Sequence, residues 1–219
     1  MRASCNKFVM WGASGHAKVL RECLTAEYEL VALFDNNPAV MNPFVGVPLY
    51  VGLSGFSQWL AQGDTPGMSF LVAIGGDKGR DRLDLHALFE REGLIPLTAV
   101  HSTAFVAASA HIGAGCHILA GARVCVDAQL GRQTIVNTQA SVDHECNIGQ
   151  GVHIAPGATI TGCVSVGGGT MIGAGAVVLP HVTIGVNAVI GAGAVVTRDI
   201  PDNVIAYGNP ARIMGTREN

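Results

Sequence analysis

From Val100 to Val196 every sixth residue is aliphatic, seventeen positions without a break, running through Val106, Ile112, Ile118, Val124 and onward to Ile184, Ile190 and Val196. Neither a helical period of 3.6 nor simple alternation produces this spacing. Four residues after most of these positions stands a small or β-branched residue, among them Ala110, Cys116, Ala122, Thr134, Ala158, Thr170, Ala176 and Ala194, and glycines crowd the intervals. The pattern predicts a parallel β-helix, in which each short strand buries one aliphatic side chain and each corner takes small residues. With three strands to a coil, eighteen residues make a turn, so the seventeen positions supply between five and six stacked coils.

The repeat accounts for nearly half of the 219 residues, which divides the chain into an N-terminal unit over 1–99, the β-helix over 100–200 and a tail over 201–219. A net charge of −3 with 13% charged residues excludes binding to nucleic acid through bulk charge and points to small molecules or further copies of the chain as partners. The apolar fraction is 49%, yet no uninterrupted apolar run of about eighteen residues exists to span a bilayer. Phe8–Trp11 is too short for the core of a signal peptide, so a soluble, cytoplasmic protein is expected. The six cysteines, Cys5, Cys23, Cys116, Cys125, Cys146 and Cys163, form no CxxC pair, and the eight histidines no HExxH spacing. Buried free thiols are expected at Cys116 and Cys146, and no metal cofactor.

In the N-terminal unit, Phe8–Trp11 reads as a buried strand, Gly12-Ala-Ser-Gly-His16 as a tight loop, and Ala17 to Leu24 as the start of a helix. Leu30–Phe34 is a second strand, closed by the turn residues Asp35-Asn-Asn-Pro38. Phe70–Ile74 is a third, followed by Gly75-Gly76 and a helix from about Lys78 to Glu92, and Leu97–Val100 is a fourth that runs into the repeats. Alternation of this kind predicts a Rossmann-like parallel sheet with a ligand crevice at the strand ends. Phosphate would sit at the first helix N-terminus, with Asp35 on a ribose or sugar hydroxyl. The dinucleotide GxGxxG is absent, and one mononucleotide half is too small for a dinucleotide, so a nucleotide or nucleotide sugar is expected. Arg80 and Arg82 could reach a pyrophosphate, but a solvated helix face explains them better.

In the β-helix the sharpest break in regularity is Asp143-His144-Glu145, where a corner carries three ionisable residues. Burying them would cost solvation, so they should face a surface, a cleft or a subunit boundary. Imidazoles titrate near neutrality, which makes His144 the natural general base, with either Glu145 or Asp143 as its carboxylate partner. Cys146 is a less suitable nucleophile because its register turns it into the core. His153 lies half a coil further on, while His111 and His117 share its hexad position and read as ordinary outward residues.

The ending, Asp199-Ile200-Pro201 followed by Gly208-Asn-Pro-Ala-Arg212, resembles that of the hexapeptide-repeat acyltransferases. Together with Gly12-Ala-Ser-Gly-His-Ala-Lys-Val19 and Asp143-His-Glu145, it makes the whole chain similar to the nucleotide-sugar N-acetyltransferases of the bacillosamine and perosamine type and to the related sialic acid O-acetyltransferases. That resemblance implies a left-handed β-helix, a homotrimer, acetyl-CoA held between neighbouring β-helices, and a nucleotide sugar on the N-terminal unit. It further implies His144 as catalytic base with Glu145 as partner, and His153, Ala174 and Ala192 at the coenzyme. Ser14, Gly15, His16, Asp35, Asn36 and Gly75 would contact the nucleotide sugar. The expected reaction is direct acetyl transfer to the 4-amino group of a nucleotide-linked 4-amino-4,6-dideoxy sugar, UDP- or GDP-linked. O-acetylation of a sialic acid or polysaccharide, and a non-catalytic scaffold, are the alternatives.

Overall fold

The computed structural model describes residues 6–63, 65 and 67–217, so Cys5 lies outside the described residues. The N-terminal unit is a five-stranded, all-parallel sheet in the order β3-β2-β1-β4-β5, formed by β1 (Asn6–Trp11), β2 (Tyr28–Asp35), β3 (Leu49–Val51), β4 (Ser69–Val72) and β5 (Ile95–Pro96). Helices α1 (Gly15–Glu22), α2 (Gly52–Leu60) and α3 (Gly79–Arg91) connect them. The sequence reading missed β3 and α2, because β3 is a three-residue edge strand and α2 begins on a glycine. It also merged two strands: what reads as one over Leu97–Val100 is β5, ending at Pro96, and a separate two-residue strand, Ala99–Val100, that already belongs to the β-helix.

Each sheet face buries a different partner. On one side Trp11, Phe34, Phe56, Trp59, Phe70 and Phe89 form an aromatic core with α2 and α3, Phe70 and Phe89 stacking with centroids 4.8 Å apart. On the other, Phe8, Met10, Leu33 and Leu71, with Ala17 and Leu20 of α1, pack in one cluster with Ala99, Leu119 and Ile135 of the β-helix. The two units therefore share a hydrophobic core, in which each fully buried large side chain contributes roughly 1.5–3 kcal/mol.

The β-helix consists of seventeen two-residue strands from Ala99–Val100 to Val195–Val196, of which the first fourteen each pair in parallel with the strand eighteen residues on, as Arg123 with Ser141 and Ser141 with Thr159. Three flat faces result. The aliphatic position of each hexad points inward, joined by the small residues at Cys116, Ala122, Ala158, Ala176 and Ala194, in one continuous core. Val100, on the opening coil, remains 43% exposed because no coil precedes it. At the far end Val204–Gly208 and Ala211–Thr216 form an antiparallel hairpin that extends the face containing Val189–Ile190. This is also the face on which the N-terminal unit docks, through Leu119 and Ile135.

Docking explains a second departure from the sequence reading. Arg80 is exposed on α3, but Arg82 is fully buried and is not part of a solvated helix face. Its guanidinium donates to the carbonyl oxygens of Gln133 (3.2 Å), Ile74 (3.2 Å), Gly151 (2.6 Å) and Val152 (3.4 Å). A helix residue thus satisfies carbonyls at one corner of the β-helix. The C-terminal segment adds a second tie, since Arg217 donates to the carbonyl oxygen of Asp77 at 2.7 Å.

Candidate active site

The three corners of the coil differ in one respect. In each, one position has a left-handed backbone, a conformation that costs an L-residue roughly 1–2 kcal/mol and that glycine adopts freely. Two corners meet this mostly with glycine, at 121, 157, 175 and 193 in one column and 115, 151 and 169 in another. The third corner uses Asp127 (φ 58°), Glu145 (φ 56°), Cys163 (φ 60°) and His181 (φ 62°), eighteen residues apart. That column thus carries side chains at every left-handed position from 127 to 181, whereas the other two do so only at Gln133, Gln139 and Asn187.

His144 and Glu145 lie on that third corner, their side chains 52% and 64% exposed. The left-handed conformation of Glu145 bends the chain and brings Oε2 within 3.0 Å of His144 Nδ1. Of the two candidate acids, Glu145 is therefore the one on the imidazole; Asp143 instead accepts the backbone N–H of His144 at 2.8 Å. With Nδ1 engaged, Nε2 is the ring atom left to exchange a proton. The ring lies over Gly162 of the next coil, where any Cβ would collide with it. Cys146 points inward as its register requires, and donates to the Thr161 carbonyl at 3.0 Å. Burial pushes its thiol up to about 11, which leaves it a poor nucleophile at neutral pH.

At the N-terminal unit, Gly12 (φ 103°) turns the chain from β1 towards α1, and a Cβ there would overlap the carbonyl oxygen of Ala73. Ser14 and Gly15 are exposed at the start of α1 and, with Lys18, Val40, Met41 and Asn42, line a hollow of about 390 Å³ at the C-terminal end of β1. Asp35 holds this region in shape, Oδ2 accepting the N–H of Ala13 (2.8 Å) and Oδ1 that of Asn37 (2.9 Å). Asn36 beside it is exposed, and Gly75, half-buried, has open space where a side chain would be. A larger hollow, about 530 Å³, lies among Arg21, Tyr28 and Phe44 by the start of β2, away from the strand ends where ligands of such sheets bind.

Between the units runs a seam of imidazoles. His16 Nε2 meets His117 Nδ1 at 3.2 Å, and His153 contacts the Gly76 carbonyl at 3.0 Å through Nδ1 and Asn137 at 3.0 Å through Nε2. His117, which reads from sequence as an ordinary outward residue, is fully buried because the N-terminal unit covers its face; His111, off that face, is exposed. Burial, reinforced by His153 and Arg82, lowers His16 to about 4. Burial and Arg82 outweigh the Gly76 contact and lower His153 to about 4, and burial carries His117 well below the usual imidazole range. The seam is neutral at physiological pH.

Residues 7–83 match the family model of the PglD N-terminal domain, and residues 163–198 that of the bacterial transferase hexapeptide (six repeats). Among solved structures the chain is similar to PerB from Caulobacter crescentus in complex with CoA and GDP-perosamine, at 37% identity and a TM-score of 0.85 over 95% of this chain and 97% of that one, and to a mutant of perosamine N-acetyltransferase from the same organism, at 36% and 0.86 over 95% and 97%. It is similar also to the acetyltransferase domain of PglB from Neisseria gonorrhoeae FA1090 in complex with acetyl coenzyme A (31% identity, TM-score 0.84, covering 95% and 99%) and to WeeI from Acinetobacter baumannii AYE (26%, 0.79, 95% and 100%). The chain belongs to the hexapeptide-repeat nucleotide-sugar N-acetyltransferases. It is accordingly an acetyl-CoA-dependent acyltransferase with a Rossmann-like N-terminal unit and a left-handed β-helix, and not a scaffold.

Within this acetyltransferase the expected site residues fall into three groups. Ser14, Gly15, Asp35, Asn36 and Gly75 are on loops of the α/β unit, whereas His16 turns its ring away to His117. His153 lies on the docking face, and the adjoining corner column carries Ala174 and Ala192, both exposed and linked by a hydrogen bond from Gly193 N–H to the Ala174 carbonyl at 2.8 Å. Both positions present only small side chains to solvent along that edge of the coil. His144 and Glu145 form the third group, on the corner opposite the docking face. Sequence reasoning missed Gly162 and Cys163, which the eighteen-residue spacing from His144 and Glu145 would have revealed, and Arg82 and His117, for which no local signal exists. Among the described residues no helix is long and apolar enough to cross a membrane.

Proposed function

We propose that this acetyltransferase moves acetyl from acetyl-CoA to the 4-amino group of a nucleotide-linked 4-amino-4,6-dideoxy sugar, with His144 as general base. The observation that carries this reading is the His144–Glu145 pair on an exposed corner, with Nδ1 held and Nε2 free. Nε2 removes a proton from the sugar ammonium or from the amine as it attacks the thioester carbonyl, and Glu145 stabilises the resulting imidazolium. A backbone N–H of the coil would stabilise the oxyanion. Coenzyme A leaves as the thiol, with no acyl-enzyme formed. The likeness to an enzyme crystallised with GDP-perosamine favours a GDP-linked amino sugar as acceptor.

In a triangular coil the His144 corner is the vertex opposite the face that carries the chain's own N-terminal unit. Its own nucleotide crevice is thus on the wrong side, and a complete site needs His144 from one copy beside the docking face of another. This supports a homotrimer with the coenzyme between neighbouring β-helices. A cytoplasmic location goes with this reading, because acetyl-CoA and a nucleotide sugar would be drawn from the same soluble pool.

The test is thiol release with GDP-perosamine, its UDP-linked 4-amino counterpart and free sialic acid as acceptors. Turnover with an amino sugar that falls at least a hundredfold in His144→Ala is the expected result. Undiminished turnover in that variant would remove His144 from the mechanism, and transfer to sialic acid alone would make the enzyme an O-acetyltransferase.

A further inference from the structure

Cys163 is one coil above Glu145, in the same left-handed corner column. Its Sγ is 3.8 Å from Glu145 Oε2, which is itself 3.0 Å from His144 Nδ1. One donor atom from each residue, sulfur, carboxylate oxygen and imidazole nitrogen, lies within 4.8 Å of the other two. Zinc bonds of about 2.0 Å to nitrogen and oxygen and about 2.3 Å to sulfur, at tetrahedral angles, hold donors roughly 3.3–3.7 Å apart. The 3.8 Å and 3.0 Å separations are within a few tenths of an ångström of that range, rotation of the Cys163 side chain by up to about an ångström brings its sulfur to the imidazole, and a water completes the fourth position. A thiolate, imidazole and carboxylate together suit Zn²⁺ far better than Mg²⁺ or Ca²⁺.

We infer that His144, Glu145 and Cys163 form a zinc site that switches the acetyltransferase off. This rests on His144 acting as the base. Coordination forms Zn–Sγ, Zn–Oε and Zn–Nδ1 bonds. The thiol proton of Cys163 passes to solvent, and the single remaining imidazole proton is confined to Nε2. That atom then has no lone pair with which to accept a proton from the acceptor amine. Zinc also displaces the Glu145 contact that supports the imidazolium. The metal is an inhibitor here and takes no part in acetyl transfer. The corner is open to solvent in the single chain, and it must remain reachable in the working enzyme for a sugar amine to arrive.

The experiment titrates metal-free full-length enzyme with Co²⁺ while following the near-ultraviolet thiolate-to-cobalt charge-transfer band, and in parallel with Zn²⁺ while following turnover against each variant's own rate in EDTA. The expected result is a band saturating at one cobalt per chain in the wild type and absent in Cys163→Ser. Zinc inhibition should be reversed by EDTA, with a half-inhibiting concentration raised at least tenfold in Cys163→Ser. Absence of the band, or equal zinc sensitivity in both proteins, would overturn the site. A band without loss of turnover would overturn its role as a switch. The cobalt spectrum reads the site even in a preparation with no measurable transfer, which separates failure of this inference from failure of the proposed reaction. Melting curves of Cys163→Ser, whose thiol makes only the one long contact to Glu145, confirm that the variant is folded.

Discussion

The imidazole of His144 lies across the open face of Gly162, eighteen residues further along the chain, so closely that a Cβ at 162 would clash with Nε2. Gly162 is not among the left-handed glycines, so an alanine there is compatible with the backbone. Gly162→Ala should leave the melting temperature nearly unchanged and tilt the ring away from its line of attack. Since a positioned base contributes on the order of 10² to 10⁴ in rate, kcat should fall about ten- to a hundredfold with little change in KM for acetyl-CoA. Steady-state kinetics beside a melting curve check this.

The two acids flanking His144 should separate cleanly. Glu145 contacts the ring, whereas Asp143 accepts a backbone N–H, a task the amide oxygen of asparagine performs equally well. Glu145→Gln is expected to lower kcat about ten- to a hundredfold. Asp143→Asn should stay within about threefold of wild type, on the same assay.

Arg82 is a stability residue. Removing its guanidinium orphans several carbonyls at the seam and opens a void where α3 meets the coil. Arg82→Met should cost about 3 kcal/mol, roughly 6–12 °C in melting temperature for a chain of this size. Calorimetry of the purified variant checks it, and a shift below 2 °C would show that water takes over the carbonyls.

The neutral seam predicts acid sensitivity. His16 and His153 are each lowered to about 4, chiefly by burial, so below the ordinary imidazole value of about 6.5 the unfolded chain binds protons that the folded chain does not. Their contribution is constant above that value, declines as pH falls from about 6.5 to about 4, and levels off below. Each accounts for on the order of 3 kcal/mol over that window. His117, beside them, adds in the same direction. Melting temperature measured against pH should show the decline, and His16→Asn should make it shallower, leaving the share of His153 and His117.

If His144 and the nucleotide crevice of one chain work in different sites, two dead variants should rescue each other. Co-expressed His144→Ala and a crevice variant such as Gly15→Trp, each inactive alone, are expected to form mixed assemblies that recover a substantial fraction of turnover per intact site. Separately purified proteins mixed without exchange should not.

What could be read from sequence, and what could not, follows the range of the interactions. The wall was legible because Val124 or Ile160 needs only its own place in the hexad to be assigned inward. His144 and Glu145 were legible because they interrupt that wall. Arg82 was not: an arginine on a helix surface reads as solvated until Gly151, 69 residues on, supplies the carbonyl that receives it. His117 reads as a surface residue until His16, 101 residues earlier, covers it. The strand Leu49–Val51 and the helix after it were obscured for a local reason. Three residues carry no period, and Gly55 breaks the helical pattern because its bare Cα packs against Tyr50.

The coil keeps two clocks. Its wall repeats every six residues, so six residues added or removed at a corner leave every aliphatic side chain pointing inward. Its corners repeat only every eighteen, as the partners of Arg123 and Ser141 do. A six-residue insertion between His144 and Gly162 would therefore turn the following coils by a third of a revolution, carrying Gly162 and Cys163 to another edge. Length variation in this chain is held to a stricter unit by what the corners and the docking face carry than by the wall itself.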